Sequence, residues 1–92
     1  MSESGIRRRA IVTGHVQGVF FRDATRRQAV ASGVGGWVRN RPDGTVEAVL
    51  EGAPGAVQRM LQFLAAGPPR ARVDRVDVSE EPPEGLSGFE IR

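Results

Sequence analysis

At 92 residues the chain reads as one domain, long enough for a single hydrophobic core and too short for two. It has no cysteine, which excludes disulfides, thiol nucleophiles and cysteine-based metal sites, and its thirteen basic residues are all arginine, which excludes Schiff-base and P-loop lysine chemistry. A formal charge of +2 is a small surplus for a nucleic-acid binder, and no apolar run approaches the roughly 20 residues that span a bilayer.

Residues 1–15 lack the basic-then-apolar layout of a signal peptide, so a cytoplasmic location and no membrane partner are expected. Residues 1–5 are expected to be a flexible N-terminal tail, and residues 6–92 a single domain. The alternating, β-branched run "IRRRAIVT" predicts a strand over Ile6–Thr13 with Ala10 and Val12 on its buried face. After a glycine-containing loop, a helix opens at Arg22 or Asp23 and continues to about Ser32, stopped by Gly33, Gly35 and Gly36. Its expected stripe is Ala24, Gln28 and Ala31, with Val30 and Val34 beside it.

"GWVRN" and "TVEAVLEG" flank "RPDG", which has proline and glycine where a tight turn needs them, so these runs form a hairpin. Pro54 suits the first turn of a second helix. Val57, Met60, Leu61 and Leu64 recur in that helix at amphipathic spacing up to Gly67. "ARVDRVDVSEE" alternates again, with Val76 and Val78 on one face, and "GFEIR" closes the chain as a short strand. The βαββαβ order predicts an α+β, ferredoxin-like sandwich: an antiparallel sheet with two helices on one face.

The first strand-to-helix loop, "TGHVQGVFFR", carries most of the chemistry. The first amides of a helix lack intrahelical partners and sit at the positive end of its dipole, so such a turn attracts anions. Gly14 and Gly18 let successive amides converge, and Arg22 follows with a planar fork of donors suited to phosphate oxygens. On spacing alone Arg22 also reads as a solvated helix residue, Asn40 as a turn residue, and Phe20, Phe21 and Trp37 as core or loop-bracing groups.

"GHVQGVFFR" resembles the Gly-x-Val-Gln-Gly-Val-x-Phe-Arg signature of acylphosphatases, and "GWVRNRPDGTVE" resembles their second signature. "GPPRARVDRVDV" and "GFEIR" are similar to the family's entry to its fourth strand and to its ending, while Ser32 and Val34 stand where members often carry larger aliphatics. The resemblance implies the ferredoxin-like fold and hydrolysis of the carboxyl–phosphate bond of acyl phosphates, without metal or cofactor. It places the catalytic arginine at Arg22 and the catalytic asparagine at Asn40. The phosphate-binding amides fall on His15, Val16, Gln17, Gly18 and Val19. A small acyl phosphate is the implied substrate, with inorganic phosphate as product and inhibitor, no nucleic-acid partner, and a monomeric enzyme. Two alternatives remain on the same fold, a non-catalytic anion-binding module and an RNA-binding module that would stack bases on sheet aromatics.

Overall fold

Alternating apolar side chains give the first strand a face to bury, and in the computed structural model, which describes residues 5–92, that face is the floor of the core. Most of the expected N-terminal tail, residues 1–4, lies outside the described residues. Strand β1 spans Ile6–His15, helix α1 Phe21–Ser32, β2 Gly35–Asn40, β3 Val46–Gly52, α2 Pro54–Ala66, β4 Arg72–Glu81 and β5 Phe89–Ile91. The sheet order is β4-β1-β3-β2-β5. The first four strands pair antiparallel throughout, the ferredoxin-like arrangement, and β5 adds a parallel pair on the outer edge of β2. The sheet is therefore mixed, because β5 returns to the edge of β2 by a crossover and not by a hairpin.

Both helices lie against one face, α1 over β2 and β5 and α2 over β1, β3 and β4. In register, Ala10 faces Ala48 and Val12 faces Val46, while Val38 faces Ala48 from the other side. All five are fully buried, together with Leu50. Helix α2 covers them with Ala56, Val57, Met60 and Leu64, close to the expected stripe, with Leu61 half-buried beside them. Helix α1 differs from expectation. It begins one residue early, and its buried stripe is Phe21, Thr25 and Ala29, whereas Gln28, Val30 and Ala31 face solvent. Phe21 is the largest apolar group in the helix, and its burial fixes the helix's rotation. The buried Thr25 hydroxyl donates to the Phe21 carbonyl at 2.8 Å, so the stripe costs no unpaired polar group.

The opposite face of the sheet carries no helix, and side chains of opposite charge roof it over. Glu81 accepts from Arg7 Nε at 2.8 Å and Arg9 Nε at 2.6 Å. Glu47 pairs with Arg9 and, at 2.7 Å, with Arg39. Three guanidiniums, from Arg9, Arg39 and Arg92, lie within 6 Å of the Trp37 ring centroid at 5.6, 5.7 and 4.9 Å. Trp37 is left 9% exposed beneath them.

Candidate active site

The loop after β1 is anchored by alternate residues. Val16 and Val19 bury their side chains in the core, while Gly18 and Phe20 between and after them are exposed. The strand reaches this loop two residues later than expected, with a register shift between Thr13 and Gly14 against β4. A Cβ at Gly14 would stand 2.1 Å from the Arg72 carbonyl oxygen, so only glycine lets β1 pass β4 so closely. Two left-handed residues then shape the loop, Gly18 at φ 74° and Phe20 at φ 63°. The first is easy for glycine; the second costs a phenylalanine about 1–2 kcal/mol.

Phe20 is the residue that precedes α1, and no side chain caps the helix there. Among the described residues, no protein acceptor takes a hydrogen bond from the amides of Val16, Gln17, Gly18 or Val19. Donors of the loop and of the helix's positive end are thus grouped where a protein of ordinary economy would have satisfied them.

A pocket of about 310 Å³ opens at this point, lined by Val16, Gly18, Phe20, Phe21, Arg22, Asp23, Asn40 and Ile91. Arg22, the second residue of α1, is half-buried and, among the described residues, has no carboxylate within salt-bridge distance. Its neighbour Asp23 is engaged elsewhere, by Arg27 one turn on at 3.1 Å. Asn40 is the last residue of β2 and pairs in register with Val46. Because side chains alternate along a strand, Gly36, Val38 and Asn40 share the helix-bearing face, which brings Asn40 to the start of α1.

His15, Gln17 and Val19 are not in the pocket wall. His15 ends β1 opposite Arg72 with its side chain exposed. Gln17 turns its side chain to the hairpin, where Nε2 donates to the Arg41 carbonyl at 2.8 Å and the Thr45 carbonyl at 3.0 Å. This brace joins the loop to the turn that follows Asn40. The turn is fixed from within as well: Asp43 Oδ1 accepts from the Thr45 hydroxyl at 2.6 Å and the Thr45 amide at 3.0 Å, and these bonds hold its carboxyl below the ordinary range.

Three features of the site are absent from the sequence reading. They are the Gln17 brace, the exposure of Phe20, and Ile91, which β5 delivers to the pocket by pairing with Val38, two residues before Asn40. A polar residue between two buried valines was the available signal for the first. For the other two there was none, since they depend on a backbone angle and on a parallel pairing. Among the described residues, no group of three His, Asp or Glu side chains is placed to hold a metal ion.

The acylphosphatase family model matches residues 8–91. An acylphosphatase of Rubrobacter xylanophilus is 58% identical over 85 residues, covering 91% of this chain and 77% of the relative. One of Thermococcus kodakarensis is 55% identical over 80 residues, covering 87% and 88%. The crystal structure of acylphosphatase from Bacillus subtilis superposes with a TM-score of 0.91 at 38% identity, covering 95% of this chain and 98% of that one.

Proposed function

Since this chain belongs to the acylphosphatase family and hydrolyses acyl phosphates, we propose that it does so by holding the phosphoryl group on the loop amides and Arg22 while Asn40 orients water. The observation that carries this reading is the pocket itself. It collects Val16 and Gly18 of the loop, whose amides have no protein acceptor among the described residues, the start of α1, an arginine with no carboxylate in reach among those residues, and an amide side chain from a separate strand.

The chemistry fits those groups. An acyl phosphate is a mixed anhydride with a carboxylate leaving group, so the reaction needs alignment and charge stabilisation more than a strong acid or a protein nucleophile. The loop amides, those of Val16 and Gly18 foremost, and the fork of Arg22 take the phosphoryl oxygens. Water held by the Asn40 amide attacks phosphorus, the bond from phosphorus to the acyl oxygen breaks, and the carboxylate departs. An asparagine is a poor base, so the water's proton passes to a phosphoryl oxygen, yielding inorganic phosphate. No metal enters this scheme, and hydrolysis of benzoyl phosphate should persist in the presence of chelator. Gln17 acts as a positioning residue, because its brace sets the distance between the loop and Asn40's hairpin.

The enzyme is proposed to be a cytoplasmic monomer. Among the described residues, no helix is long and apolar enough to cross a membrane. The RNA-binding alternative loses support from the sheet's open face, whose aromatic, Trp37, lies under three arginines and offers no free ring for a base to stack on.

Asn40→Ala tests the scheme. Loss of a preorganised polar group that acts in the transition state should lower kcat by about 10²-fold or more while the inhibition constant of inorganic phosphate changes little. If Asn40 only shaped the hairpin, the same variant would melt lower and keep its turnover per folded molecule. Measuring kcat, phosphate inhibition and melting temperature on one sample separates the two, and an unchanged kcat overturns the role given to Asn40.

A further inference from the structure

The pocket has a second half, and its chemistry differs from the first. Beside the polar groups of Arg22 and Asn40, its wall includes the two exposed apolar side chains Phe20, 67% exposed, and Ile91, 42% exposed. Isolated apolar residues on a surface need no explanation, but two on the wall of one pocket, beside the reacting groups, form an apolar patch where a substrate must pass.

Each is held in place by backbone that other residues fix. Phe20 sits at the left-handed residue that leads into α1, and its ring has the Arg70 guanidinium 5.9 Å from its centroid. Ile91 is carried by β5, where the Arg92 amide donates to the Val38 carbonyl at 2.8 Å and the Gly36 amide to the Gly88 carbonyl at 2.9 Å. Further back, the buried Glu51 carboxylate accepts from the amides of Glu84 at 2.7 Å, Gly85, and Leu86 at 3.3 Å, pinning the segment that leads into β5. The patch is therefore preorganised, which lowers the entropy cost of using it.

We propose that Phe20 and Ile91 form the acyl-group subsite and make this enzyme favour acyl phosphates with an aromatic or bulky apolar acyl group over those with a small one. The inference rests on the phosphate-binding role given to the loop and Arg22. With the phosphoryl group fixed there, the acyl carbon is one oxygen away, and its substituent lies along the wall that Phe20 and Ile91 supply. A phenyl group buries apolar area against both side chains, whereas a methyl group is too short to reach far along them.

The test compares benzoyl phosphate with acetyl phosphate as substrates of the wild type, Phe20→Ala, Ile91→Ala and the double variant. The readout is the ratio of the two kcat/KM values on one sample, which cancels any difference in the fraction of folded enzyme. In the double variant the ratio of benzoyl to acetyl is expected to fall about five- to tenfold, a loss on the scale of an apolar contact at a half-open site. Phe20→Leu, which keeps an apolar group and the same left-handed penalty, should retain more of the ratio than Phe20→Ala. A double-variant ratio within threefold of the wild type overturns the acyl subsite. Hydrolysis of neither substrate by the wild type would instead overturn the proposed function, and the subsite with it.

Discussion

Arg22 presents two parallel N–H donors in a plane, while a lysine in its place would present one rotating point charge. Arg22→Lys is therefore expected to lose most of its turnover on benzoyl phosphate and to melt within a few degrees of the wild type, because the half-buried side chain makes no ion pair among the described residues. Near wild-type turnover in that variant would remove Arg22 from the mechanism. That Arg22 and Asn40 would meet at one pocket was legible in the sequence, because residue type and place in two motifs carried the information. Phe20 was not. Its importance lies in a positive φ, and phenylalanine is among the last residues from which that would be guessed. The side chain of Gln17 was equally hidden, since its partners are the carbonyls of Arg41 and Thr45, far along the chain.

At the scale of elements, the site depends on one loop and one hairpin keeping a fixed separation, and the Gln17 amide ties them. Gln17→Glu is nearly the same shape but replaces a donor facing two carbonyl oxygens with a third oxygen. At neutral pH this should cost about 2–3 kcal/mol, since it loses two bonds and buries an acceptor among acceptors. Stability should recover in part at low pH, where a protonated carboxyl can donate once. Denaturant unfolding at pH 7 and pH 4 checks this, and a variant as stable as the wild type at both would show that the brace is idle. Most elements were readable from periodicity, namely β1, the hairpin and α2. The rotation of α1 was not, because small and polar residues dominate its sequence and one aromatic at its start decides which side is buried. The parallel setting of β5 was hidden for a different reason: three residues are too few to carry a pattern, and the segment before them is held by Glu51, more than thirty residues back in the chain.

For the whole molecule, the uncovered face of the sheet makes folding sensitive to acid. Hydrogen bonds from Arg9 and then Arg7 pull the Glu81 carboxyl down from its ordinary value of 4.5 to about 2. Burial alone would push the Glu47 and Glu51 carboxyls up; in Glu47 the guanidiniums of Arg39 and Arg9 outweigh it, and in Glu51 the amides of Gly85 and Glu84 with Arg7 do, so both also stay below the ordinary range. A carboxyl whose pKa is lower in the folded chain than in the unfolded one stabilises the fold above its unfolded value and loses that contribution as the pH falls through the folded one. The melting temperature is therefore expected to be level near neutrality and to fall as pH drops from about 4.5 towards 2. Glu81→Gln should lower the neutral plateau and flatten the fall. An unchanged slope in that variant would assign the acid sensitivity to other carboxylates.

The arginine in the pocket wall, Arg22, and the one lying over Phe20, Arg70, share a property that charge does not describe. Acyl phosphates are electrophiles that acylate free amines, and a lysine beside the substrate would be a standing target whenever it shed its proton. A guanidinium keeps its proton at any physiological pH and has no free lone pair to attack with. A chain whose thirteen basic side chains are all arginine offers its substrate no side-chain amine to acylate. Peptide mapping by mass spectrometry after prolonged exposure to acetyl phosphate should find no stable acetyl group on any side-chain nitrogen.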